Sequence, residues 1–179
     1  YETKPEGDRA SRTSVGPLDD EACTNSLALF EELCKWTTEP PRGNTTLLGG
    51  SPAKMNDAQS KMGRLQALEL LKTGLNKAGP AFRTRQEFIE AIRDSLCSAL
   101  LETCTSHDNE ITSMSLQIFV LLLEGYKEQL RTEVEVFVTT ILMKTLESGY
   151  STYDHKVQVL EVFHSICRDS ASLIECFQY

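Results

Sequence analysis

The chain has 179 residues, and 40% of them are hydrophobic, which is sufficient for one packed core. Its net charge of −8 makes it a poor binder of nucleic acid, because phosphate groups are neutralised by clustered Lys and Arg. The sequence has no run of about 18 apolar residues and no signal-peptide pattern, so we expect a cytoplasmic protein. It begins with Tyr1 instead of Met, and we interpret it as a piece of a longer protein.

The N-terminal part predicts a polar segment, a helix and a loop. Residues 1–18 contain few apolar side chains and are predicted to be a disordered linker, whereas residues 19–179 are predicted to form one helical domain. Apolar residues spaced three and four apart predict a first helix from Asp19 to Trp36. The segment 39–57 is rich in Pro and Gly, so we expect a flexible loop there.

A sharp corner follows the second predicted helix. That helix begins near Ala58, and Gly79 and Pro80 end it, because Pro has no backbone N–H to continue the hydrogen-bond ladder. Thr84 and Glu87 have the spacing of a capping box, in which each side chain bonds a backbone N–H that the helix leaves unpaired. They predict the start of a third helix.

The fourth and fifth predicted helices have clear start signals. Asp108 or Asn109 is expected to cap the fourth, which runs to about residue 128 and is apolar on nearly every face, so it should be central. Thr132 and Glu135 form a second predicted capping box at the start of the fifth helix. Gly149 is expected to end that helix as a glycine C-cap.

The spacing of the helices predicts the architecture. A sixth helix is expected from Asp154, where this residue would be the N-cap, and a seventh from Ser170. Successive starts 22 to 25 residues apart give helix pairs with the period of about 40 to 47 residues that is typical of armadillo and HEAT repeats. We therefore predict an all-α, armadillo/HEAT-like α-solenoid of six to seven helices, with a globular helical bundle as the alternative.

The sequence contains no pattern that predicts catalytic, cofactor-binding or metal-binding residues. His164 and Cys167 are spaced as two ligands on one helical face, but no second pair accompanies them and core packing is the preferred interpretation. His155 could act as a proton shuttle beside the carboxylate of Asp154. An N-capping role for Asp154 explains this pair of residues more simply. The six cysteines lie in apolar helical stretches and are expected to be reduced and buried.

Basic residues are concentrated along the second predicted helix and just after the turn that ends it. A solvated helix face explains them, and a contact with lipid or with an acidic partner is the alternative. The basic residues of this stretch are Lys61, Arg64, Lys72, Lys77, Arg83 and Arg85. The corner between the helices is expected to direct Phe82 towards the core and Arg83 outwards or towards backbone carbonyls.

Four segments resemble one protein family. They are KAGPAFRTRQEFIEAIRDSLCSAL (77–100), LALFEELCKWTTEP (27–40), VEVFVTTILMKTLES (134–148) and DHKVQVLEVFHSIC (154–167). In their order along the chain they resemble the large, brefeldin-A-inhibited ARF guanine-nucleotide exchange factors, in the region called HUS for homology upstream of the catalytic domain. The family's HUS box, Asn-Tyr-Asp-Cys-Asp, would begin at Gln178-Tyr179, where Gln replaces Asn.

The resemblance implies a non-catalytic domain that controls autoinhibition and Golgi membrane recruitment, since the exchange reaction of this family belongs to a separate downstream domain. It implies partners of three kinds: the N-terminal dimerisation and cyclophilin-binding domain of the same protein, small GTPases of the ARF or ARF-like class, and the trans-Golgi network membrane. The candidate partner-binding or structural residues are Gly79, Pro80, Phe82, Arg83, Thr84, Asp154, His155, Lys156, Gln178 and Tyr179.

Two hypotheses from other functional classes stay open at this point. A free-standing helical-repeat adaptor would bind a peptide in a concave groove, and the parent reading frame would then have no neighbouring exchange domain. An unrecognised hydrolase with a Cys or His nucleophile would have one thiol of lowered pKa, which thiol-reactive probes would label fastest.

Overall fold

The computed structural model describes residues 17–40 and 57–168, and within these ranges the chain is all-α. The helices are α1 (Pro17–Thr38), α2 (Asp57–Lys77), α3 (Pro80–Thr84), α4 (86–103), α5 (Asn109–Tyr126), α6 (131–147) and α7 (Tyr153–Arg168). The predicted linker lies outside the described residues, apart from Pro17 and Leu18, which are helical. Most of the predicted loop and the last predicted helix also lie outside them.

The helices pack in two rows, as an α-solenoid requires. One row contains α2, α5 and α7, with α5 in the middle. The other row contains α1, α4 and α6: α1 packs against α4, and Arg93 of α4 pairs with Glu133 of α6 at 3.1 Å. Helix α1 also packs against α2 of the first row. The rings of Phe119 on α5 and Phe137 on α6 stack with centroids 3.8 Å apart, so the rows are joined through their side chains. Because α4 begins at Gln86 and α6 at Arg131, the helix pair repeats after 45 residues. The predicted all-α, solenoid-like fold is confirmed.

The two long helices of the second row share an irregularity. The segment Ile92–Leu96 of α4 and the segment Val138–Met143 of α6 have the wider i→i+5 hydrogen bonds of a π-helix. Their first residues are 46 apart, close to the repeat length, so the irregularity belongs to the repeated unit.

The core runs through the interface between the rows. The large apolar side chains that are most completely buried are Leu68, Leu71, Ile92, Leu96, Leu100, Ile111, Ile118, Leu122, Leu130, Leu142 and Val159. Full burial of such a side chain contributes about 1.5 to 3 kcal/mol before the entropy of ordering is counted. Helix α5 contacts α2, α4 and α7 and stacks on α6, so the prediction that it is central is confirmed.

One predicted helix cap is confirmed. The carboxylate of Asp108 accepts hydrogen bonds from the backbone N–H groups of Glu110 at 3.0 Å and Ile111 at 3.3 Å. It therefore caps α5, as the sequence suggested.

Both predicted capping boxes are wrong. Pro80 begins the short helix α3, and the Thr84 hydroxyl donates to the carbonyl of Pro80 within it, so Arg85 becomes the N-cap of α4 without a side-chain bond. Helix α6 begins at Arg131 and leaves Thr132 inside its first turn, with Leu130 as the N-cap. In both cases the helical backbone begins before the predicted capping threonine.

Two further predicted helix ends are corrected. Helix α7 begins at Tyr153, and the Thr152 hydroxyl accepts from the backbone N–H of His155 at 3.3 Å, so Asp154 is not its N-cap. Helix α6 ends at Glu147, the following Ser148 has an extended backbone, and Gly149 does not adopt the left-handed conformation of a glycine C-cap.

Candidate interaction surface

The predicted corner forms as an aromatic cluster. Phe82, on the short helix that follows Gly79, lies with its ring centroid 5.5 Å from that of Phe30 in an edge-to-face arrangement and 4.2 Å from that of Phe88. Its ring faces the core and Arg83 is exposed, as the sequence predicted. The corner therefore joins α1, α3 and α4 through apolar contact.

The second candidate motif lies at the start of α7. The Asp154 carboxylate accepts a hydrogen bond from the side-chain amide of Asn109 at 3.2 Å, which connects α7 to α5. The Nε2 atom of His155 is buried and has no hydrogen-bond partner, and Lys156 is partly exposed. Since Asp154 bonds Asn109, the geometry offers no support for a proton shuttle between Asp154 and His155.

The structure does not bring these two motifs together. Lys61 near the start of α2 contacts Asp108 at the start of α5, and Asp154 of α7 also lies at that end. The corner follows the opposite end of α2, and the 18 residues of α5 span about 27 Å. The motifs therefore lie at opposite ends of the helices in this row, while Gln178 and Tyr179 lie outside the described residues.

A polar cluster connects α2 to the start of α5. The Lys61 ammonium lies 2.8 Å from the Asp108 carboxylate and also pairs with Glu110. The hydrogen bond from Lys61, assisted by the two backbone N–H donors, lowers the pKa of Asp108 below its usual value, and the two carboxylates raise the pKa of Lys61. All three side chains are partly exposed, so the stabilisation is modest.

A groove of about 580 Å³ crosses α2, α5 and α7 beside this cluster. Leu65 and Met114 supply its apolar surface, and Gln66, Gln117 and Gln158 are among its polar lining residues. The Oε1 atom of Gln158 is buried without a hydrogen-bond partner, while its Nε2 lies 3.5 Å from the backbone oxygen of Asn109. Sequence analysis missed the groove because its walls come from three helices far apart in the chain.

The basic stretch does not form one cationic face. Besides Lys61, three of its members have partners within the domain: Arg64 donates to the Thr37 carbonyl at 2.7 Å, Lys72 pairs with Glu69 at 3.8 Å, and Arg85 pairs with Asp20 at 3.4 Å. Most of these cations therefore hold neighbouring helices together or pair along one helix. This arrangement favours the solvated helix face over a lipid-binding surface.

The His164 and Cys167 side chains are both exposed, so the expected core packing of these residues is wrong. Among residues 17–40 and 57–168, no three His, Cys, Asp or Glu side chains are grouped closely enough to hold a metal ion.

Burial raises the pKa of the Cys34 and Cys97 thiols to about 12. Such thiols are almost entirely protonated at neutral pH and are therefore poor nucleophiles.

The described cysteines are free thiols. Cys34 and Cys104 are buried, Cys23 and Cys97 are partly buried, and Cys167 is exposed. The five described cysteines have free thiols, as the sequence predicted, but the expectation that all are buried is wrong for Cys167 and holds only in part for Cys23 and Cys97. No helix in the described part of the chain is long and apolar enough to cross a bilayer.

The two rows of helices and the groove across one of them define a helical-repeat scaffold. The sequence matches the family described as "Mon2/Sec7/BIG1-like, HUS domain" over residues 23–179. This chain belongs to that HUS-domain family, and the resemblance found in its sequence is confirmed.

Named relatives are large proteins from animals, plants and fungi. The chain is 35% identical over 154 residues to the human brefeldin A-inhibited guanine nucleotide-exchange protein 1, a match of 86% of the chain and 8% of the relative. It is 29% identical over 161 residues to the Arabidopsis thaliana brefeldin A-inhibited guanine nucleotide-exchange protein 2, covering 89% and 8%. It is 27% identical over 168 residues to the fission-yeast ADP-ribosylation factor guanine nucleotide-exchange factor sec71, covering 89% and 9%. The chain thus spans less than a tenth of the length of these relatives.

Proposed function

We propose that this chain is a non-catalytic regulatory domain of an ARF guanine-nucleotide exchange factor, and that its contacts control autoinhibition and Golgi membrane recruitment. The observation that carries the proposal is membership of the HUS-domain family over residues 23–179. The relatives named as exchange factors are more than ten times longer than the matched region, which leaves ample chain for a separate exchange domain.

The groove across α2, α5 and α7 supports a binding role. Its apolar walls, Leu65 and Met114, are bordered by amide and serine side chains and by the carboxylates of Glu69 and Glu110, which suits a protein partner that presents both apolar and hydrogen-bond-donating groups. We assign this partner as the N-terminal dimerisation and cyclophilin-binding domain of the same protein, and ARF-class GTPases and the Golgi membrane as partners of the whole exchange factor. The resemblance supports these assignments.

The test uses the full-length exchange factor that contains this region. Removal of residues 58–179 is expected to alter both its nucleotide-exchange rate on ARF and its recruitment to Golgi membranes in cells. Unchanged exchange and unchanged recruitment would refute the proposal.

A matched pair of point variants tests the groove without deleting the domain. Gln66→Arg places a bulky cation in the groove, whereas Gln59→Arg makes the same change at an exposed position of α2 outside it. We expect only Gln66→Arg to weaken binding of the purified N-terminal domain. The expected loss is about tenfold, because the arginine side chain would displace this partner from the groove. Equal binding by both variants would assign the contact to another surface.

A further inference from the structure

A second cavity, of about 350 Å³, lies at the end of the domain where α7 begins. It is enclosed by the turn between α4 and α5, the second half of α6, and the turn between α6 and α7. Thr112 and Leu116 of α5 border it on a different helical face from the groove. We call this space the α6 cavity, and all of its lining residues lie within the described part of the chain.

The lining of the α6 cavity has one formally charged side chain, that of Lys144. His107 and His155 also line it, and none of its lining residues is Asp or Glu. The whole chain has 26 acidic residues against 18 Lys and Arg, so a cavity lining without a carboxylate differs from the acidic composition of the chain. The neighbouring Asp154 lies outside the lining and bonds Asn109.

The polar side chains of the cavity offer hydrogen-bond donors. The Nε2 atom of His155 is buried and has no partner, and Lys144 forms no ion pair with any described residue. The hydroxyl of Ser106 accepts from the backbone N–H of Asp108 at 3.2 Å, and that of Ser148 accepts from Tyr150 at 3.1 Å. A hydroxyl that accepts through its oxygen still has its proton to donate.

We propose that the α6 cavity binds the phosphate group of a soluble ligand. An ammonium group, an imidazole N–H and hydroxyl protons suit a ligand that is rich in acceptor oxygens and negatively charged. A volume of about 350 Å³ is at the small end of the range for ligand sites, which fits a phosphorylated side chain or a small phosphate ester. Lys144 supplies the positive charge. The Nε2 atom of His155, which has no partner within the described residues, forms a hydrogen bond with the ligand.

The surrounding charge favours a soluble ligand over a lipid headgroup. Residues 106–168, the described part of this half of the chain, contain 5 Lys and Arg against 9 Asp and Glu, a net charge of −4. An anionic membrane would approach these carboxylates together with the cavity, whereas a single phosphate group entering the cavity meets Lys144 and no lining carboxylate.

The experiment is a nuclear magnetic resonance titration of the 179-residue chain with inorganic phosphate and with O-phosphoserine, at an ionic strength held constant with sodium chloride. We expect saturable shifts of the His155 imidazole and of the backbone amides of Lys144 and Ser148. Lys144→Met is expected to weaken binding about tenfold, the loss of one charge-assisted contact. Lys156→Met removes the same charge beside His155 but outside the lining, and it should change the affinity less than about twofold.

Several results would overturn the proposal. Shifts that do not saturate, or that sodium chloride reproduces, would mean that no phosphate site exists. Equal affinities for Lys144→Met and Lys156→Met would place the anion elsewhere, and binding only to vesicles that contain phosphoinositides would assign the site to lipid. Lys144 is exposed, so its variant is expected to fold, and a circular dichroism spectrum identical to that of the parent checks this.

Discussion

The hydroxyl of Ser115 donates a hydrogen bond of 2.7 Å to the hydroxyl of Thr103, where α5 crosses α4. Both residues are fully buried. The Thr103 hydroxyl in turn donates to the carbonyl of Ala99 at 3.0 Å. Small hydroxyl side chains thus let two central helices approach closely while every polar atom of the pair keeps a partner.

Breaking this pair is expected to destabilise the domain in a non-additive way. Ser115→Ala and Thr103→Val should each lower the free energy of unfolding by about 1 kcal/mol, because each removes the same buried hydrogen bond. The double variant should lose less than the sum of the two. Urea denaturation of the four proteins measures this coupling, and losses that add to within about 0.3 kcal/mol would mean that the bond contributes nothing. Ser98→Ala, at an exposed site of α4, is the control with an expected change below about 0.5 kcal/mol.

The stacked rings of Phe119 and Phe137 provide a test of how the two rows are joined. Both rings are buried, so Phe119→Ala removes the stack and leaves a cavity, and we expect a loss of about 3 to 5 kcal/mol. Leu160→Ala removes an apolar side chain that is 54% exposed on α7 and should cost less than about 1 kcal/mol. Thermal and urea unfolding compare the two variants, and similar losses would contradict the packing of α5 against α6.

The cluster of Lys61 and Asp108 predicts how stability depends on pH. The pKa of Asp108 is lowered in the folded state, so its contribution is present above the ordinary carboxyl pKa of 3.8 and is lost as the pH falls through the lower folded value. Asp108→Asn keeps an N-cap but removes the charge, and at pH 7 it should cost at most about 1 kcal/mol. Urea denaturation should show that this difference shrinks below about pH 3.5. A difference that stays constant down to about pH 2 would mean that the ion pair plays no part.

Particular residues explain how far the sequence predicts this fold. The apolar spacing along α2, α5 and α7 is local information, and it placed these helices to within a few residues. Asp108 was identifiable as a cap because its role depends only on the next three residues. The Thr84 box failed because Pro80 begins a helix earlier, and the π-helical segments have no signal in the spacing of apolar residues.

The candidate sites depend on contacts between distant parts of the chain. Phe82 was predictable from the corner that its own neighbours form. The groove was not, because Leu65, Met114 and Gln158 come from three helices and carry no shared motif. His155 was singled out beside Asp154, but only the packing of α6 against α7 reveals that its Nε2 atom is buried and unpaired.

The reactivity of the cysteines tests the hydrolase hypothesis. Burial raises the pKa of Cys34 and Cys97 to about 12 and raises that of Cys104 as well, so these thiols should react slowly with iodoacetamide near pH 8. The exposed Cys167 should be labelled sooner because it is accessible, so its labelling alone does not support the hypothesis. Mass spectrometry of tryptic peptides identifies the site of labelling, and Cys167→Ser is the control for its peptide. Rapid labelling of Cys34 or Cys104 in the folded protein would indicate an activated thiol and would revive the hypothesis.

Two glycines of α2 provide a test, with its control, of whether the segment that follows α1 packs on this helix. A Cβ atom at Gly74 would have no neighbour within 4 Å, so Gly74→Ala should stabilise the domain by about 0.5 to 1 kcal/mol through helix propensity alone. A Cβ atom at Gly63 would lie 3.0 Å from the Cβ of Pro40, whose ring is rigid and has little freedom to move aside. Gly63→Ala should therefore stabilise less than Gly74→Ala, or destabilise, although both changes lie inside the same helix. Urea denaturation measures the difference, and an equal gain for both variants would mean that Pro40 does not pack on α2 in solution.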